Sequence, residues 1–144
     1  MAGKKMLPVP RPSKERGIDS EKITINLGVV DLGQIDLLVD EGFYANRTDL
    51  IRTAIRNQLV VHTDTVKQTI ARRTLVLGLQ HFTRADLERA LAAKQMLRIE
   101  VVGLARIADD VPAELARATV ESVVVLGAFH ASDAVRKALA DRMH

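Results

Sequence analysis

Lys22, Thr24 and Asn26 alternate with Ile23, Ile25 and Leu27 in a run that places a cation, a hydroxyl and an amide on one face and three aliphatic side chains on the other. That polar set is able to hydrogen-bond the edges of bases in the DNA major groove. A six-residue strand does not hold itself together in water and needs a partner. Pairing with a copy of itself gives an antiparallel two-stranded ribbon on a two-fold axis, and such a ribbon fits the major groove. The reading requires Ile23 to Leu27 to be a strand; it fails if this run is coiled, helical or mated with a strand of its own chain.

The elements that must position this strand follow at once. Gly28 ends the extended run, and Asp31 is suited to cap a first helix. Leu32, Ile35, Leu38 and Val39 recur at helical spacing, and Gly42 is a good terminator. Phe43, in the turn after it, is expected to return to the core. Asn46 then caps a second helix, with Asp49 completing a start like a capping box. Leu50, Ile51, Ala54, Ile55 and Leu59 form its apolar stripe, opposite Arg47, Arg52, Arg56 and Asn57. Strand, helix, turn and helix together span about 38 residues, near the size below which a chain seldom folds alone. This part must dimerise or lean on the C-terminal half, and intertwined dimerisation is the simpler answer.

The segment from Lys22 to Leu59 resembles a ribbon-helix-helix DNA-binding domain of the CopG type, in the Arc and MetJ class of repressors. The likeness rests on the KITINL strand and on GFYANRTDLIRTAIR, where Arg47, Thr48 and Asp49 match a motif and Ile51 and Ile55 its apolar seam. It covers about a quarter of the chain. The resemblance implies that Lys22, Thr24 and Asn26 read bases. It also implies that Asn46, Arg47 and Thr48, opening the second helix, anchor a phosphate through backbone N–H groups.

Composition sets the outer bounds. The 144-residue chain is 47% hydrophobic, enough for a real core, and that core must be aliphatic because Trp is absent. With no Cys there is no disulfide framework or thiolate metal site, which suits a reducing cytoplasm. No apolar run reaches the roughly 18 residues that span a bilayer, so no membrane partner is expected. A net charge of +3 does not by itself point to nucleic acid. Residues 1–20 carry Lys4, Lys5, Arg11, Lys14 and Arg16 among Pro8, Pro10 and Pro12, and read as a flexible basic arm. That arm is either a plain leader or a follower of DNA phosphates.

From Thr74 onward the chain repeats. Gly78, Gly103 and Gly127 fall 25 and 24 residues apart, while Leu87, Val111 and Val135, like Leu91, Leu115 and Leu139, keep a step of 24. Each unit reads as a short strand with a glycine near its end, a polar turn and a helix start. Thr83, Ala108 or Asp109, and Ser132 stand where caps belong, with Pro112 in a first turn. Such units must stack to bury their apolar faces, giving a small parallel sheet with helices on one side. Strands such as Ser122 to Leu126 are too apolar to stay exposed, so this half should self-associate or pack on its dimer mate.

Catalytic and metal chemistry is not indicated. The four histidines, His62, His81, His130 and His144, show no metal-ligand spacing, and no cofactor is expected. His81 and His130 hold equivalent places in the repeat, which favours packing. Asp109 and Asp110 fit helix capping better than a paired-acid site. There is no nucleophile elbow, Walker loop or Cys–His pair.

The expected architecture is α+β: a basic arm (1–20), a ribbon-helix-helix unit (21–61), a connecting helix or linker (62–73), and a solenoid-like β–α repeat (74–144) for oligomerisation or sensing. The expected function is a homodimeric, sequence-specific regulator of double-stranded DNA, a bacterial repressor in the cytoplasm and not an enzyme. Two alternatives stand beside it. One is an antitoxin or plasmid-partition protein whose C-terminal half binds a protein partner. The other is a non-DNA assembly protein built on the repeat.

Overall fold

The structure, a computed structural model, describes residues 20–144; the basic arm, Ser20 apart, lies outside the described residues. Among the described residues three helices come first: α1 (Val29–Asp40), α2 (Arg47–Val61) and α3 (Thr63–Arg73). A β–α alternation follows: β1 (Val76–Phe82), α4 (Arg84–Ala92), β2 (Leu97–Ile107), α5 (Ala113–Thr119), β3 (Val120–His130) and α6 (Asp133–Ala138), closed by a 3₁₀ turn, Ala140–Arg142. The connection over 62–73 is therefore a helix, and Thr74 ends it in the left-handed region with φ 57°.

The three strands form one parallel sheet in the order β1-β2-β3. Its register matches the repeat, since Gly78 pairs with Gly103 and Gly103 with Gly127. All three take positive φ, between 124° and 138°. At the second and third of them a side chain has no room: a Cβ on Gly103 would lie 2.1 Å from the carbonyl oxygen of Gly78, and one on Gly127 2.1 Å from that of Gly103. The column of glycines thus lets neighbouring strands approach without a side chain between them.

One face of the sheet carries the core. Ile99, Val101, Ala105 and Ile107 from β2 and Val123 from β3 join Leu87, Ala116, Val135 and Leu139 from the helices in a single buried cluster. Full burial of each large aliphatic side chain contributes about 1.5–3 kcal/mol. The repeat's 24-residue step is visible here, because Leu87, Val111 and Val135 are all buried. Thr83 and Ser132 cap α4 and α6 as expected from their positions, Thr83 within a full capping box with Asp86. The middle unit differs. Pro112 itself is the cap of α5, without a side-chain bond, and Asp109 and Asp110 form the turn before it instead of capping.

The other face is open. By alternation it carries Leu77 and Leu79 on β1, Val102, Leu104 and Arg106 on β2, and Leu126, Ala128 and His130 on β3. Leu77 and Leu79 are 64% and 63% exposed. Helix α3 flanks part of this face, where Val66 and Ile70 share a groove with Val102 and Leu126. His81 and His130, expected to have a packing role, lie on this face in one row with Arg106.

Before Leu75 the picture inverts, and no residue from 20 to 74 is buried. Phe43 does not return to a core; it is exposed, as are Ile55 and Leu59 from the stripe of α2. Leu32, Ile35 and Val39 of α1 and Leu50 and Ile51 of α2 are half covered, where the two helices meet. The apolar stripes exist as the sequence spacing implies, but one chain supplies nothing to lay over them.

Candidate nucleic-acid interface

Lys22, Thr24 and Asn26 lie in a stretch, residues 20–28, that forms neither helix nor strand. The strand expected over Ile23 to Leu27 is thus coiled in the single chain, the outcome that counts against the ribbon reading, and no strand among the described residues pairs with it; the ribbon can stand only as a structure of two chains. The physical reason is the missing ladder. Extended backbone becomes a strand only when its N–H and C=O groups find another strand, and one chain offers none here. Lys22, Thr24 and Asn26 are exposed, and none makes a hydrogen bond or ion pair among the described residues. Ile23, Ile25 and Leu27 are also exposed, at 73%, 55% and 41%, so the apolar face of the run is as uncovered as the polar one. What fixes the stretch to the rest of the chain is Glu21, whose carboxylate lies 2.7 Å from Nε2 of His130.

Gly28 ends this stretch and stands at the cap position of α1 with extended backbone (φ −61°, ψ 144°). Asp31 is not the cap; it sits inside the first turn, where a negative charge still favours the helix N-terminus. Gly42, at φ 87°, reverses the chain after α1. The turn delivers Asn46 to the start of α2, where its Oδ1 accepts from the N–H of Asp49 at 2.8 Å. Asp49 reaches back one residue further than in a standard capping box and accepts from the N–H of Ala45 at 3.0 Å.

Asn46, Arg47 and Thr48 therefore stand together at an exposed helix N-terminus. The N–H groups of Arg47 and Thr48 have no intrahelical acceptor, as in any first turn, so they are free to take an anion. The side chain of Arg47 is already engaged. Its Nε and Nη2 donate to the two carboxylate oxygens of Asp36 at 2.7 and 2.8 Å, a bidentate pair that ties α2 to α1. The bond from Arg47 holds the Asp36 carboxyl below its ordinary range, and Asp36 raises Arg47 in turn. Sequence reasoning put Arg47 on the side of α2 opposite its apolar stripe but missed its bond to Asp36 of α1. Opposite charges eleven residues apart, across a glycine turn, were the available signal.

The geometry thus brings Asn46, Arg47 and Thr48 to one helix end and leaves Lys22, Thr24 and Asn26 on an unpaired stretch. Residues 18–136 match the Ribbon-Helix-Helix transcriptional regulator family. The chain belongs to that family. The match runs far past the quarter of the chain that carries the resemblance in sequence and takes in the parallel sheet, so the C-terminal half is part of the family's pattern. No curated protein and no solved structure matches the chain. For a ribbon-helix-helix regulator, DNA binding and transcriptional regulation are the expected activities. Among the described residues no helix is long and apolar enough to cross a membrane, and no three His, Asp or Glu converge as a metal site.

Proposed function

We propose that the protein is a dimeric, sequence-specific DNA-binding repressor acting in the cytoplasm. Two chains each lend residues 22–27 to one antiparallel ribbon, with Lys22, Thr24 and Asn26 facing base edges and the N-terminus of α2 set against a phosphate. The observation that carries the dimer is the bare apolar surface of residues 20–74. Ile23, Ile25, Leu27, Phe43, Ile55 and Leu59 all face water in one chain. At about 25 cal/mol per Å² of apolar surface, covering them with a second chain is the largest stabilisation left to this half. The family match, independent of the ribbon geometry, carries the DNA reading.

Selection from a randomised duplex library tests both. Thr24→Ala and Asn26→Ala should each relax one position of the selected site, at about 1–3 kcal/mol per base pair. Equal discrimination by wild type and both variants would remove the ribbon from the mechanism. Arg47→Ala should weaken every duplex alike. The folded C-terminal sheet argues against the antitoxin alternative, whose partner-binding tails order only on binding.

A further inference from the structure

His81, Arg106 and His130 repeat at 25 and 24 residues, the steps of the glycine column, and the register sets them side by side on β1, β2 and β3. Adjacent strands lie about 4.8 Å apart, so the three form a row of one guanidinium between two imidazoles across the open face. They stand near the C-terminal ends of parallel strands, the end at which open parallel sheets of α/β proteins take their ligands. Arg106 has an unfilled hydrogen-bonding fork: its ion pair with Asp109 is 3.9 Å long, beyond a hydrogen bond. Its side chain is 31% exposed, open enough to be reached.

Two residues further back along each strand the face turns apolar. Leu77, Leu79, Val102, Leu104 and Ala128 line a groove of about 450 Å³, with Ile23 and Glu21 at its edge. That volume falls within the range of small-molecule sites. The protein itself shows what suits this arrangement. The carboxylate of Glu21 bonds His130 at one end of the row, while the aliphatic side chain of Ile23 lines the edge of the groove. A carboxylate on the row and a branched hydrocarbon beside the leucines is the pattern the surface accepts.

We propose that this face binds a small aliphatic carboxylate, its head on Arg106 and the flanking histidines and its hydrocarbon chain in the groove. Arg106 offers the bidentate fork that carboxylates match best, and the groove offers five uncharged side chains for the tail. Glu21 then acts as an internal competitor, because its carboxylate and the ligand's seek the same row. The site does not depend on the DNA-binding reading and is tested without DNA.

The probe is octanoate, titrated into the full chain by calorimetry and followed at the Cε1–H resonances of His81 and His130. Binding should shift both histidines. Arg106→Gln should weaken it tenfold or more. Leu79→Asn, at an exposed position that leaves the core intact, should weaken it several-fold. Glu21→Gln should tighten it by removing the competitor, and a loss of fold does not mimic that gain. Octanol and acetate, each lacking one half of the pattern, should both bind more weakly than octanoate. The proposal is overturned if octanoate leaves both histidines unmoved, if Arg106→Gln binds as wild type does, or if Glu21→Gln fails to tighten binding.

Discussion

Between residues 20 and 74 no side chain is buried, while from Leu75 onward a closed aliphatic cluster joins β2, β3 and three helices, with Phe82 of β1 packed against it. Both regions are built from apolar periodicity of similar quality. They differ in what their partners are. Each β–α unit of the C-terminal half finds its neighbour 24 or 25 residues away in the same chain, so one chain completes the core. The N-terminal run and helices have no such neighbour among the described residues, and in the proposed dimer a second chain covers the surface they present. A sequence pattern states which face must be covered; it does not state which molecule covers it.

The sharpest way to break the C-terminal half is at the glycine column, and it tests the idea that strand spacing is set by a missing side chain. Gly103→Ala would drive a Cβ into the backbone of Gly78 at 2.1 Å, on top of a φ of 138° that L-residues rarely adopt. Neither Gly78 nor the backbone can yield without opening the sheet. We expect at least about 4 kcal/mol of destabilisation, the range reserved for backbone strain and overpacking. Gly78→Ala has the same kind of φ but nothing within 4 Å, and should cost only about 1–3 kcal/mol. Chemical denaturation of both variants checks the order; equal costs would mean that φ alone, and not the close approach, selects glycine.

The second test separates the two regions by mass action. Leu87→Ala removes a fully buried side chain from the intrachain cluster and should cost about 2–5 kcal/mol at every protein concentration. Ile25→Ala or Leu59→Ala, at exposed positions, should leave the single chain's stability nearly unchanged. Their effect should appear as a dimer that dissociates at higher protein concentration. Thermal melts over a hundredfold dilution series distinguish the cases. Concentration-independent melting of the N-terminal helices would sink the two-chain explanation of their bare faces.

The same contrast decides what was legible in the sequence. The parallel order and register of the sheet could be read from Gly78, Gly103 and Gly127, because a repeat encodes its own neighbours. Helix starts at Asn46, Thr83 and Ser132 were legible because a cap is local chemistry. Asp31 and Asp109 also resemble caps, yet the backbone enters these helices earlier than the one acid and later than the other, at Gly28 and Pro112. Phe43 and the strand over 23–27 were misplaced for one shared reason: nothing among the described residues of one chain covers the first or pairs with the second. The packing role expected of His81 and His130 rested on their equivalence in the repeat, which shows a shared face but not whether that face is inward.

The smallest effect we expect concerns the one ion pair that ties α1 to α2. Both partners are exposed, so solvent screens them and the pair is no large source of stability. Its direction is nonetheless testable. Asp36 titrates below its ordinary value in the folded protein because Arg47 donates two hydrogen bonds to it. A depressed carboxyl contributes stability that is complete above the unfolded value, near pH 4, and fades as pH falls through the lower folded value. Asp36→Asn should therefore flatten the acid limb of the stability profile without moving the neutral plateau much. It should also free the Arg47 guanidinium for phosphate, making the logarithm of duplex affinity against salt steeper by about one unit per added contact. A variant with the wild-type acid limb would show that the pair is idle in solution. An unchanged salt slope would leave the N–H groups of Arg47 and Thr48, not the guanidinium, as the contact to the phosphate.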